Sequence, residues 1–406
     1  ILIFSPLLVF GQVWSYTYQD TIPGTVSPDF TYGNTILQKG NGDYIWLINS
    51  SYNASRLEIR DSLGVLLSTH IISGFGGCKR MQLTNDGGYI LISGSHVVKL
   101  DSLFNFEWAT TPIPINTING SSIVNDVRQT SDNGYILTGA FAWAYNGFTH
   151  NQNMYIRKID SIGNEVWLNN NFMDSSNVNT QTRGLSILEN DSGGFILIAD
   201  SLQYQLNATI YSLFIKIDST GNVYSRKILK DLNNNLDAAG HIIKVSDGNY
   251  IVLGNKVDPN NTSNEKEVWI KKIDVNGGHI WQKFYGYGFP DYATSIKEIS
   301  DGGFIISASG DLPFMFMNIF QTCCQRKIWA LKINDIGDTT WTRSWTNSLG
   351  QDDVDYAYDV IETNDGCFAI TGTILESNWQ NSAILIKFCS PIALSINLDN
   401  FGSNLS

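Results

Sequence analysis

The sequence predicts an all-β fold: a seven-bladed β-propeller of four-stranded antiparallel blades, its ring closed by an N-terminal strand in the last blade. Three observations lead there. One turn motif occurs seven times, a second motif follows it in each copy, and strand-like apolar runs flank both. Self-similarity at this period marks a repeat architecture, and four short antiparallel strands per repeat describe a propeller blade.

The first motif is fullest at Asp301-Gly302-Gly303-Phe304-Ile305-Ile306. Its aromatic position recurs as Tyr44, Tyr89, Tyr135, Phe195, Tyr250, Phe304 and Phe368. Glycine in the motif supplies the positive φ a tight hairpin needs, and a leading Asp or Asn bonds its own backbone two residues on. Alternating segments precede it and apolar runs follow it, so it joins strands A and B of each blade. It is no phosphate loop, because no Lys-Ser/Thr and no helix follows. The second motif reads Lys158-Ile159-Asp160 with Gly163 and Trp167 beyond. Its Asp recurs as Asp61, Asp101, Asp218 and Asp274, and its Trp as Trp108, Trp281 and Trp341. A Lys stands two before the Asp position at Lys99, Lys158, Lys216, Lys272, Lys332 and Lys387, with Ile59 in the first copy. This motif turns strand C into strand D. Its Asp reads as a backbone-bonding turn residue and its Trp as a cover for the seam between blades. A parallel β-helix is the rival architecture, but its repeats are shorter and its turns are not hairpins.

Blade seven lacks a fourth strand after its strand C. Val13 to Tyr18 has the Trp and the alternation of a strand D and no blade of its own, so it is expected to pair there and remove the open edge. Cys367 and Cys389 replace motif residues at the same end of adjacent strands and are the candidate disulfide. Cys78 is expected to be free.

The paired patterns resemble those of secreted β-propeller repeat proteins of Bacteroidetes, which commonly end in a type IX secretion sorting domain. The resemblance runs from about Gln12 to Cys389 and implies fold and export. It supplies no catalytic residues, because such proteins share no single activity. No sorting domain is read after Cys389.

Residues 1–11 read as the remnant of a signal-peptide apolar segment, 12–389 as the propeller and 390–406 as a linker or tail. Ten apolar residues are too few to span a bilayer. The 406 residues carry a net charge of −12, which argues against nucleic acid as a partner. The expected product is extracellular or at the outer cell surface, a monomer, with a glycan or a cell-surface protein as partner and no membrane span.

Candidate binding residues follow from topology. The A–B and C–D turns are short and share one face, so the variable B–C and D–A connections share the other, where binding usually resides. Trp143, Tyr145, His150 and Trp379 fall on that face and suit a sugar, unless the loops bury their own aromatics. Asp237, Asp291 and Asp355 stand at the start of strand A, the innermost strand. There they would either rim the channel mouth or cap the lead-in to the strand; rimming carboxylates suit a ligand, a cation or an acid–base pair. Asp231, Asn233, Asn235 and Asp237 alternate oxygen ligands as a calcium loop does, but Leu236 stands where such a loop has Gly and the distal Glu is missing. No other cofactor is expected. No nucleophile elbow, zinc helix or phosphate loop is present, so the expectation is a non-enzymatic binding or adhesion module. A lyase or glycosidase using channel-mouth carboxylates is the alternative, and a structural spacer the third reading.

Overall fold

The structure, a computed structural model, describes residues 12–18, 31–50, 55–113, 121–145, 148–170, 180–203, 209–229, 239–258, 266–286, 291–311, 315–316, 319–320, 326–345, 355–375 and 381–390. The described residues form strands and turns and no helix, so none of them builds a helix long and apolar enough to cross a membrane.

Seven four-stranded antiparallel sheets follow one another along the chain. Strands A to D are Thr31–Gln38, Tyr44–Ser50, Ser55–Arg60 and Leu66–Ile72 in blade 1, and Cys78–Leu83, Tyr89–Ser93, His96–Leu100 and Phe106–Thr110 in blade 2. Blade 3 has Ser121–Gln129, Tyr135–Tyr145, Phe148–Ile159 and Glu165–Asn169; blade 4 has Thr180–Glu189, Phe195–Gln203, Thr209–Ile217 and Val223–Ile228. Blade 5 has Ala239–Lys244, Tyr250–Val257, Lys266–Ile273 and His279–Tyr285. Blade 6 has Tyr292–Glu298, Phe304–Asp311, Arg326–Ile333 and Thr339–Trp345, with a small hairpin of Met315–Phe316 and Ile319–Phe320 between B and C. Blade 7 takes A, B and C from Tyr356–Glu362, Phe368–Leu375 and Asn381–Phe388. Its fourth strand is Gln12–Tyr18, paired antiparallel to strand C with Trp14 opposite Lys387 and Tyr18 opposite Ala383.

Both repeated hairpins use one turn. Gly42 N–H bonds Lys39 O and Lys39 N–H bonds Asp43 O, which is a type I turn closed by a residue in the left-handed region. The second motif residue holds a positive φ in every A–B turn, from Asn133 at 64° to Gly42 at 92°. In the C–D turns Asp61, Asp101, Asp160 and Asp218 each accept backbone N–H bonds from residues two and four further on, as expected of a turn Asp.

The Lys of the second motif has a partner that its repetition alone does not reveal. It reaches back to the Asp of the A–B turn in its own blade: Lys99 to Asp86 at 2.9 Å, Lys158 to Asp132 at 2.9 Å, Lys272 to Asp247 at 2.6 Å and Lys387 to Asp365 at 2.6 Å. Blade 4 has Ser192 in place of that Asp, and its Lys216 bonds Asn276 of blade 5 instead.

The core is divided among the seams. Seven clusters of buried apolar side chains each draw on two adjacent blades, and the seventh joins blade 7 to blade 1. The motif tryptophans close these seams from the rim. Trp108 lies edge-on to Tyr135 of the next blade at 5.6 Å and donates to Ser161 O, and Trp167 lies tilted against Phe195 at 5.9 Å and donates to Ser219 O. A Cβ at Gly163 or Gly221 would lie under 3.0 Å from these indole rings, so the turn glycine makes room for the neighbour's Trp. Between blades 1 and 2 the ring comes from the other side. Blade 1 has no Trp there, and Phe104 of blade 2 takes the turn position at φ 68°, stacked on Tyr89 and set against His70.

The closing strand repeats this logic. Trp14 meets Tyr44 of blade 1 at 5.3 Å, while Arg60 covers Tyr16 and Arg56 covers Tyr18. Buried Glu58 holds both guanidiniums. Cys367 and Cys389 form a disulfide with Cα atoms 4.2 Å apart, and Cys78 is a buried free thiol. Cys323 and Cys324 lie outside the described residues.

Two predictions follow from these contacts. Burial alone would raise the carboxyls of Asp86 and Asp132, but bonds from Thr84 or Thr130, the motif Lys and a glycine N–H outweigh it and hold both at about 2. A pKa depressed on folding contributes stability above the usual carboxylate value near 3.8, lost as pH falls through about 2. Urea midpoints measured between pH 5 and 2 will therefore fall across that window, and Lys99→Gln with Lys158→Gln will flatten the fall. Separately, Cys389→Ser opens a loop whose ends are 22 residues apart. Chain-entropy reasoning puts the loss of stability at about 3 kcal/mol. A thermal melt of the variant, or of the wild type under reductant, will show it as a lowered midpoint.

Candidate functional site

Strand A of each blade borders the central channel, and every strand A carries a β-bulge at the same point. The register slips between Gly33 and Thr35, Cys78 and Arg80, Val124 and Asp126, Gly184 and Ser186, Ala239 and His241, Ala293 and Ser295, and Ala357 and Asp359. A bulge re-aims the side chain beside it. The residues just past the bulges, Thr35, Arg80, Asp126, Ser186, His241, Ser295 and Asp359, are all polar and occupy equivalent places in the seven blades.

Two carboxylates organise this circle. Asp126 is fully buried and accepts from Arg80 Nη1 at 3.0 Å, Arg128 Nε at 3.3 Å, Ser186 Oγ at 2.9 Å and Ile187 N–H at 3.1 Å. Burial would raise its carboxyl, but Arg128 and Arg80 overcome that and hold it at about 2. Asp359, in blade 7, accepts from Ser295 Oγ at 2.7 Å and Ile36 N–H at 3.4 Å, with Lys297 Nζ at 3.8 Å. Each Asp thus ties its own strand A to the backbone of the next blade's strand A. His241 Nδ1 lies 3.1 Å from Ser186 Oγ, and burial together with the nearby Arg80 and Arg128 pushes the ring well below its usual pKa, so it is neutral.

These strands enclose a cavity of about 350 Å³. Arg80, Arg128, Lys79, Lys297, His241 and Asp359 are on its wall. The side chain of Lys297 lines this cavity and is 41% accessible. At the turn face, latches tie neighbouring blades around the circle. Ser131 N–H and Oγ donate to Glu189, Ser246 to Glu298 and Ser300 to Glu362, while Lys244 pairs with Asp191.

The residues singled out in the sequence lie elsewhere than on this cavity's wall, or outside the described residues. Asp291 and Asp355, expected at the channel mouth or as caps of the strand lead-in, are 1% and 0% exposed. Asp291 N–H bonds Lys266 O and Asp355 N–H bonds Arg326 O, both at the start of the preceding blade's strand C, and Asp355 Oδ1 accepts from Leu375 N–H. Both stand one residue before strand A, enclosed by neighbouring residues rather than exposed. Trp143 and His150 lie opposite each other in the B–C hairpin of blade 3, and Tyr145 ends strand B two residues later. The strands therefore run through residues that read as loop. Trp379 and the stretch Asp231, Asn233, Asn235 and Asp237 lie outside the described residues. Among the described residues no three His, Cys, Asp or Glu side chains gather as metal ligands.

No protein-family model and no curated protein matches the chain. Solved structures match it in shape. The structure of BBS1N in complex with ARL6DN is 9% identical, over 95% of this chain and 98% of that one, at a TM-score of 0.51. A protein of unknown function from Bacteroides caccae is 10% identical over 80% of this chain and 97% of that one, at 0.44. The Dos1 propeller is 11% identical over 87% and 78%, also at 0.44. At such identities the likeness concerns fold alone, and by fold the chain is a seven-bladed β-propeller with four antiparallel strands in every blade.

Proposed function

We propose that the protein is an exported, non-enzymatic binding module that meets a glycan outside the cell or at its outer surface, through the face carrying the B–C and D–A connections. The observation that carries this reading is the inequality of the two faces. On one, the A–B and C–D turns repeat a single geometry and are pinned by Asp, Lys and Trp contacts. On the other, the B–C connection ranges from a two-residue turn between Ser93 and His96 to the segment between Asp311 and Arg326 of blade 6, which carries a small hairpin of its own. Variation on a pinned scaffold is how one fold serves many ligands.

Two further points support it. A disulfide suits an oxidising compartment outside the cytoplasm. A glycosidase needs two carboxyl groups about 5–10 Å apart in a cleft. Asp291 and Asp355, two of the three carboxylates that reading rests on, are buried, which favours binding over catalysis.

A glycan-array screen of the purified protein tests the proposal. We expect saturable binding that drops at least tenfold in the Trp143→Ala/Tyr145→Ala/Trp379→Ala variant while its thermal midpoint stays within a few degrees of wild type. Binding that survives all three substitutions would move the site off these residues. Capture of a surface protein with no glycan bound would change the ligand class, and no binding of either kind would leave a structural spacer.

A further inference from the structure

The central cavity points to a second site, separate from the loop face. Four cationic side chains, Lys79, Arg80, Arg128 and Lys297, share its wall. Two carboxylates, Asp126 and Asp359, stand against them, so the bore is net positive inside a chain whose total charge is −12. That inversion is not a general property of the surface, and confined charge of one sign focuses its field along the bore.

The geometry shows which donors remain for a ligand. Arg80 gives one Nη1–H to Asp126 and Arg128 gives its Nε–H. Their other guanidinium N–H groups make no hydrogen bond among the described residues. The one ion pair of Lys297 among the described residues is with Asp359, at the outer limit for such a pair. Asp126 is saturated: it accepts four bonds and anchors both guanidiniums from behind, so they are pre-positioned with their free edges available. Pre-positioned guanidinium forks match the oxygen pairs of carboxylate and phosphate groups. Side-chain accessibilities of 33%, 28% and 41% for Arg80, Arg128 and Lys297 show that solute can reach all three.

The cations also act on one another. Asp359 supports the charge on Lys297, but burial with Arg128 and Arg80 outweighs it and lowers the Lys297 pKa. Like charges held this close are costly without a counter-charge, and an anion seated among them relieves that cost. Neutral His241 on the same wall leaves a hydrogen-bonding group that adds no charge.

We propose that the central channel binds a small organic anion through a carboxylate or phosphate group held by Arg80, Arg128 and Lys297. About 350 Å³ admits one small metabolite or one acidic sugar residue and excludes a polymer chain segment of any length.

The test is thermal unfolding and calorimetric titration of the full chain with galacturonate, with inorganic phosphate and with neutral galactose, all at matched chloride ionic strength. A ligand that binds only the folded protein raises the midpoint in proportion to its occupancy. We expect a saturable rise with galacturonate or phosphate and none with galactose; which anion acts distinguishes a sugar acid from a phosphorylated compound. Lys297→Gln, which leaves the Asp126 cluster intact, is expected to weaken binding at least tenfold, and Arg128→Gln at least as much. Because Arg128 also neutralises Asp126, the Arg128→Gln/Asp126→Asn double variant separates lost binding from lost folding. Trp143→Ala/Tyr145→Ala should leave anion binding unchanged, which keeps this site distinct from the loop face. No saturable effect of either anion, or an effect untouched by Lys297→Gln and by the double variant, overturns the proposal.

Discussion

Everything in this molecule depends on the seam between one blade and the next. A single four-stranded blade has two apolar faces and cannot hide either of them alone. The buried side chains accordingly group by seam rather than by blade, and each cluster draws on two neighbours. Burial contributes roughly 25 cal/mol for each Å² of apolar surface, so a blade without a neighbour forfeits that gain on both sides. An array built this way has to close, and the strand Gln12–Tyr18 does so by carrying its Trp into the same position that Trp108 and Trp167 hold elsewhere.

The polar contacts obey the same requirement at three radii. At the outside, indole N–H groups bond carbonyls of the next blade's C–D turn. Between the outside and the bore, Ser131, Ser246 and Ser300 at the A–B turns donate to Glu189, Glu298 and Glu362 of the next strand A, and Lys244 at the end of strand A reaches back to Asp191 in the preceding blade's turn. At the axis, Asp126 and Asp359 bridge adjacent strands A. Tying the ring at several radii resists both splaying and sliding of blades, and so gives a rigid frame for connections that vary freely in length.

Much of this was legible in the sequence, and the reason is locality. A hairpin turn uses residues adjacent in the chain, so Asp, Gly and the aromatic recur visibly, and so do Lys and Trp. The closing strand was legible because blade 7 lacked a strand and Val13 to Tyr18 lacked a blade. The Cys pair stood out because it broke the motif at Cys367 and Cys389. The channel circle was not legible. Thr35, Arg80, Asp126, Ser186, His241, Ser295 and Asp359 share a position but no residue type, since a bulge constrains backbone rather than side chain. Their partners lie one blade away, dozens of residues distant. The Lys pattern was visible without its meaning, because its partner turn is a full strand earlier.

The closing strand also sets how the ring carries mechanical load. Gln12 pairs with Phe388, so the two chain directions leave the closed blade at the same end of one strand pair. A pull between those two points peels the pair open one rung at a time from Gln12 toward Tyr18, rather than shearing all its hydrogen bonds together. Peeling yields at low force. The Cys367–Cys389 bond sits at that same end and fastens strand C to strand B covalently. Tension would therefore lift the closing strand and stop there, with the remaining strands of the blade still stitched in place. Under such a load the closing strand is the first element to yield, and the disulfide holds the next strand pair together.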